Sequence, residues 1–150
     1  MATLAQFSRN IRSQGSKIEN SGTRMVKAFS SRALRSLVQN TPVDKGVARS
    51  NWRVGIGAPT RSVIKAYSPG KNLGIGESAN ASAAISAGLA RIGSVRGVSG
   101  RGLETAIYIS NATPYIGKLN SGSSTQVAAG FIETALLEAQ SEIIGFRLLS

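Results

Sequence analysis

Between Leu4 and Asn40 the residues Leu4, Phe7, Ile11, Ile18, Met25 and Phe29 recur on one narrow helical stripe. Arg9, Arg12, Lys17, Arg24 and Lys27 fall on its flanks or opposite side. Thr3 is placed to cap the start of a helix at Leu4. Thr41-Pro42 ends it, because the residue before a proline is pushed out of the α region. A straight helix over this stretch would be about 50 Å long. That is long for a domain of 150 residues, so part of it is expected to pack outside its own subunit. Gly15-Ser16 and Asn20-Ser21-Gly22 are weak points, and Gly22, on the stripe, leaves room for another backbone to approach. Past Phe29 the stripe drifts to Leu34, Leu37 and Val38. Either the helix bends near Ser30-Ser31 or its last turns are buried on a different side.

The supply of large core residues is thin. Aromatic residues are 5% of the chain and glycines number 17, so folding must overcome considerable backbone entropy. The core is expected to draw on Leu4, Phe7, Ile11, Phe29, Trp52, Ile107, Ile109, Phe131, Leu136 and Phe146. Such a chain is more easily stabilised by burying surface against copies of itself or a neighbour.

The remaining chain reads as short elements joined by polar turns. A turn at 42–46 leads into a strand from Val47 to Gly57, where Trp52, Val54 and Ile56 alternate with Arg53 and Gly55. A shorter strand is expected over 62–67, then a loop and an Ala-rich helix over 80–92. The strand from Leu103 to Ser110 turns at Asn111-Ala112-Thr113-Pro114, with a single helical turn over 115–119. The last helix is expected from Ala128 or Ala129, with Phe131, Ile132, Ala135, Leu136, Ala139, Ile143 and Phe146 on its apolar face and Glu133 in its first turn. The fold class is therefore α+β, in a single domain over 1–150. A long N-terminal helix and a C-terminal helix pack on a small, mostly antiparallel sheet, with a short Ala-rich helix inserted.

Catalysis has little support. With no cysteine and no histidine, thiolate metal sites, most zinc sites and the usual general base are absent. Glu138 and Glu142 are one turn apart, but on a polar helix face instead of a pocket. Gly55-Ile56-Gly57 and Gly74-Ile75-Gly76 complete neither a dinucleotide fingerprint nor a phosphate-binding loop. No segment approaches the ~20 apolar residues of a membrane span, and a soluble, cofactor-free protein is expected. The net charge is +11, of which +8 lies up to Arg53 (10 basic and 2 acidic residues). This balance suits phosphate or an acidic protein surface, or it serves only as a solvated face. The basic residues of the first helix could track a DNA backbone, although its aromatics lie on the apolar stripe and form no stacking platform for single strands.

Two blocks carry a resemblance. The first is Thr41-Pro42-Val43-Asp44-Lys45-Gly46 followed by Ala48-Arg49-Ser50-Asn51-Trp52. The second begins at Ile107-Tyr108-Ile109-Ser110-Asn111 and continues through Pro114-Tyr115, Leu119, Gly122-Ser123 and Gln126 to Ala129-Gly130-Phe131. With the small-residue helix between them, these blocks resemble the neck or tail-completion family of long-tailed phages, which includes minor tail protein Z-like members. The likeness covers roughly residues 4 to 149. Family members often carry an acid where this chain has Asn120, and a proline where it has Ala128.

The resemblance implies a structural virion protein at the head–tail junction, assembled in the host cytoplasm and completing or terminating the tail. Its implied partners are copies of itself in a hexameric or dodecameric ring and other neck or tail proteins. A closed ring needs heterologous contacts. The basic helix would face either genomic DNA, without sequence preference, or an acidic neighbouring ring; no membrane is involved. The alternative is a small basic accessory protein that binds DNA non-specifically. Within the motif, Asp44 reads as a turn former and Trp52 as a core anchor. Arg49 either pairs across a subunit interface or covers the sheet edge. Asn111 caps the strand end and fixes the Pro114 turn, and Tyr115 is a packed ring or an interface anchor. Pro114, Leu119, Gly122, Gln126, Gly130 and Phe131 complete the set of structural or interface residues.

Overall fold

The computed structural model describes residues 3–43, 45–69, 76–97 and 106–145. Its elements in chain order are α1 (Leu4–Asn40), α2 (Val47–Ser50), β1 (Arg53–Ile56), α3 (Glu77–Ser94), β2 (Ile107–Ser110), α4 (Ile116–Asn120) and α5 (Phe131–Ile144). The fold is mostly helical: the N- and C-terminal helices pack against a small two-stranded antiparallel sheet, with further helices around it.

Helix α1 is one uninterrupted helix of 37 residues. Its start is a capping box. The Thr3 backbone N–H donates to Gln6 Oε1 at 2.7 Å, and the Gln6 N–H donates to Thr3 Oγ1 at 3.3 Å. The shift of stripe past Phe29 is resolved without a break, since the last turns bury Ala33, Leu34, Ser36, Leu37 and Val38. The first half behaves differently: every residue from Leu4 to Asn20 is exposed. Leu4, Phe7 and Ile11, expected in the core, are 83%, 60% and 57% exposed. They lie on a helical arm that no other described part of the chain covers. A Cβ added at Gly22 would meet no atom within 4 Å, so this glycine serves no close approach among the described residues.

The core joins Leu34, Leu37 and Val38 of α1 to Trp52, Val54 of β1, Ala84 and Ile92 of α3, and Phe131 and Ala135 of α5. Strand β1 pairs with β2 in the register Arg53↔Ser110 to Ile56↔Ile107, and Ile107 and Ile109 pack against the core. Helix α3 crosses close above β1 and α1. A Cβ on Gly88 would run into Leu34 Cδ2 and stand 3.1 Å from Val54 Cγ2, so the missing side chain permits this approach.

Two expected strands differ. Val47–Ser50 is a helical turn, and the ladder begins only at Arg53. Gly46 takes a left-handed φ of 75° and starts that turn, burying Ala48 and Ser50 before the period-two pattern sets in. Residues 62–67 form no strand, because side chains stand in for a neighbouring strand. The Ile64 N–H donates to Asn51 Oδ1 and its carbonyl accepts from Asn51 Nδ2, both at 2.8 Å. The next donors, Tyr67 N–H and Ser68 N–H, go to Ser50 Oγ and Asn80 Oδ1. Helix α5 starts at Phe131, later than expected, because the Gly130 N–H first closes onto the Asn120 carbonyl at 2.7 Å. On α5 the buried residues are Phe131, Ala135 and Ala139, while Leu136 is 43% exposed, outside the core where it was expected. The expected core residue Phe146 and the residues 103–105 of the expected strand lie outside the described residues.

Candidate functional site: the junction of the two motif blocks

The two motif blocks meet in space. Gln126 lies 83 positions after Val43, and its side-chain amide pairs with that residue's backbone at two points. Val43 N–H donates to Gln126 Oε1 at 2.9 Å, and Gln126 Nε2 donates to the Val43 carbonyl at 2.8 Å. A primary amide matches a backbone peptide donor for acceptor, so the loop before α5 is held as a strand neighbour would be. A second tie runs from Asn111 Nδ2 to the Ala48 carbonyl at 2.8 Å. Its Oδ1 meanwhile accepts from Thr113 N–H and Thr113 Oγ1, which sets the turn into Pro114.

Beneath this junction the end of α1 is pinned. Trp52 is 5% exposed, and its Nε1 donates to Thr41 Oγ1 at 2.6 Å. That hydroxyl in turn donates to the Leu37 carbonyl at 2.6 Å. Arg49 has hydrogen-bond acceptors within its own chain. It donates from Nη2 to the Gln39 and Thr41 carbonyls at 3.2 and 2.9 Å, satisfying acceptors at the helix end. Its Nη1 stands 3.4 Å from Glu77 Oε2, a contact between charges without a well-formed hydrogen bond. Burial dominates the pair. It pushes the Glu77 carboxyl above the usual carboxylate range against the pull of Arg49, and lowers the Arg49 guanidinium against the pull of Glu77.

Between the blocks lies a groove of about 580 Å³. Pro42, Val43, Lys45 and Val47 form one wall; Tyr115, Leu119, Ser124 and Gln126 are on the other. Tyr115 is 39% exposed, and Leu119 also packs against the core. Asp44 lies outside the described residues. Gly122 follows α4, its N–H donating to the Leu119 carbonyl, and Phe131 is buried in the core. The groove brings Lys45 and Tyr115 together with amides and hydroxyls, a set suited to holding a surface. Among the described residues there is no group of three or more metal-ligating side chains, and no helix is long and apolar enough to cross a membrane.

Sequence reasoning missed Asn120, Asn51 and Asn80 as organisers. Asn120 Oδ1 accepts from the Ile132 N–H at 2.9 Å, and its Nδ2 donates to both carboxylate oxygens of Glu133. Asn120 thus caps α5 from a distance, and its amide lowers the Glu133 carboxyl below the usual range. An acid at 120 would set two carboxylates side by side, so the asparagine is matched to Glu133. The only hint in the sequence was the departure from an acid at this position.

Of the basic residues on α1, Arg9, Arg12 and Lys17 lie on the exposed arm. Arg24 is exposed and donates to Ser21 Oγ one turn earlier on the same helix, while Lys27 donates to the Gly93 carbonyl near the end of α3. On one unbroken helix the five fall within a sector of about 140°, on the side opposite the apolar stripe. No family model, no curated protein and no solved structure matches this chain.

Proposed function

We propose that this chain is a structural ring subunit of the neck or tail end of a long-tailed phage, with no catalytic role. It completes or terminates the tail so that the tail joins the filled head and DNA can pass. The observation that carries the reading is the meeting of its two resembling blocks, Thr41–Trp52 and Ile107–Phe131, through the Val43–Gln126 and Ala48–Asn111 bonds. The residues behind the resemblance thus build one junction and one groove. The exposed arm supports the same reading, because 17 helical residues without cover are expected of a subunit that meets neighbours. The decisive experiment is electron microscopy of particles assembled without the protein. Unjoined heads and tails are the expected result, and normal joined particles would refute the proposal.

The second reading, non-specific DNA binding, is favoured by the exposure of Arg9, Arg12 and Lys17 along one arm. Three phosphate contacts would make duplex affinity fall roughly fortyfold between about 50 and about 200 mM salt. Fluorescence anisotropy with a labelled duplex tests this, and binding insensitive to salt would exclude it.

A further inference from the structure

Strand β1 has one unused edge. The Gly57 N–H donates to the Ala106 carbonyl at 2.8 Å, which extends the register Arg53↔Ser110 to Ile56↔Ile107 by one further pair. Backbone groups in an antiparallel pair alternate in direction, so Arg53, Gly55 and Gly57 turn theirs toward β2, while Val54 and Ile56 turn theirs away. The sheet has two strands, and neither Val54 nor Ile56 has a backbone hydrogen bond on that outer side among the described residues. Val54 is nevertheless only 6% exposed, and a buried peptide group without a partner is as unfavourable as a lost hydrogen bond. Val54 lines a slot of about 410 Å³ together with Arg53, Thr60, Tyr67 and, from α3, Gly88 and Arg91. No residue of β2 lines it, so the slot lies on the outer side of β1. Arg53 Nη1 donates to Ser62 Oγ at 2.9 Å and the guanidinium has further donors to offer. Arg91 is exposed, and its side chain makes no hydrogen bond or ion pair among the described residues. None of the described acids lines the slot.

We propose that this slot holds a short extended segment of a different protein, which pairs its backbone with Val54 and sets a carboxylate against Arg53 and Arg91. The inference stands apart from the ring reading, which says nothing of this face. The backbone selects a peptide: an added strand brings an N–H and a C=O at the spacing of the Val54 pair. A phosphate or a phosphodiester offers acceptors, and would leave the Val54 carbonyl without a donor. The arginines select an acid, because a planar guanidinium takes a carboxylate through two parallel hydrogen bonds. A second copy is unsuited to supply it. The described acids Glu19, Glu77, Glu133, Glu138 and Glu142 all lie in helices, and a net charge of +11 opposes the approach of another copy to this cationic slot.

The test uses the full chain and a short blocked peptide of alternating valine and threonine with one central glutamate, compared with its glutamine counterpart. Trp52 lines the slot and is the chain's single tryptophan, so its fluorescence follows binding, and amide hydrogen exchange locates it. The expected results are slowed exchange at the Val54 N–H and an affinity at least about tenfold higher for the glutamate peptide. Arg91→Gln alters an exposed side chain that holds no partner in the fold, and should cut that preference severalfold; Arg53→Gln should do the same. Equal binding of the two peptides would overturn the proposal. So would unchanged Trp52 fluorescence and Val54 exchange at about 1 mM peptide. Val54 protection that grows with protein concentration alone would put a second copy in the slot, and protection reproduced by inorganic phosphate without peptide would mark a simple anion site. Either result would overturn the acidic strand as its occupant.

Discussion

Thr41 joins α1 to Trp52 through one hydroxyl, and replacing it with valine isolates that link. The side-chain shape is kept, but the acceptor for Trp52 Nε1 and the donor to the Leu37 carbonyl both disappear. Thr41 is 0% exposed and Trp52 5%, so water has no easy access to the orphaned indole N–H. Stranding a buried donor costs about 1–3 kcal/mol, while burying a methyl in place of the hydroxyl returns under about 1 kcal/mol. Thr41→Val is therefore expected to destabilise by about 1–2 kcal/mol. Trp52→Phe also costs stability, through lost packing, but in the Thr41→Val background it also removes the orphan. The double-mutant cycle should then show a coupling of about 1 kcal/mol. Urea unfolding followed by far-UV circular dichroism suits all four proteins, because Trp52 is the chain's single tryptophan. A Thr41→Val variant within about 0.5 kcal/mol of the parent, with an additive cycle, would refute the argued role of this hydroxyl.

Gly88→Ala gains about 1 kcal/mol of helix propensity, yet its Cβ would strike Leu34, which is 0% exposed and has no room to yield. A net loss of about 1–2 kcal/mol in chemical denaturation is expected, and a stabilised variant would contradict the packing described. Gln126→Ala should expose the Val43 amide to rapid hydrogen exchange while lowering global stability by about 1 kcal/mol or less; unchanged protection at Val43 would count against the two-point tie. The Glu77 carboxyl is raised in the folded state, so the fold binds its proton more tightly than the unfolded chain does. Its contribution to stability must then fall as pH rises from the ordinary carboxylate value through the raised one. Urea midpoints of the parent minus those of Glu77→Gln, measured across that window, should decline with pH. A rising difference would mean that attraction to Arg49 outweighs burial.

Both ends of α1 were legible because each is written in local chemistry: a capping threonine before Leu4 and the Thr-Pro step after Asn40. The exposure of Leu4, Phe7 and Ile11 was only half legible. Periodicity reveals an apolar stripe, but not which molecule covers it. At Val47–Ser50 the alternation of residue types suggested a strand, whereas the positive φ of Gly46 redirects the backbone into a turn first. The segment 62–67 has strand-like composition, but its partners are the side chains of Asn51, Ser50 and Asn80. Such substitution is invisible to any pattern of hydrophobicity. The acceptors of Arg49 were hidden for a related reason, since the carbonyls at the end of α1 come within its reach only once the helix has docked beside α2. Asn120 bonds to Glu133 across 13 positions, a pairing that neither residue announces alone.

The exposed arm meets the packed part of α1 between Asn20 and Ser21, beside Gly22. A glycine in a helix interior costs about 1 kcal/mol relative to alanine, and helices kink preferentially at glycine–serine pairs. Both pairs in α1, Gly15-Ser16 and Ser21-Gly22, lie in the arm or at its root, and a Cβ added at either glycine would meet no packed neighbour within 4 Å. The helix is therefore a post packed in the core that continues into an arm whose two glycines are points of low helix propensity. Bending of such an arm would fall at these glycines and leave Thr41, Trp52 and the groove beyond them undisturbed. In an assembly whose inter-subunit angle varies, the curvature would be absorbed at Gly15 and Gly22.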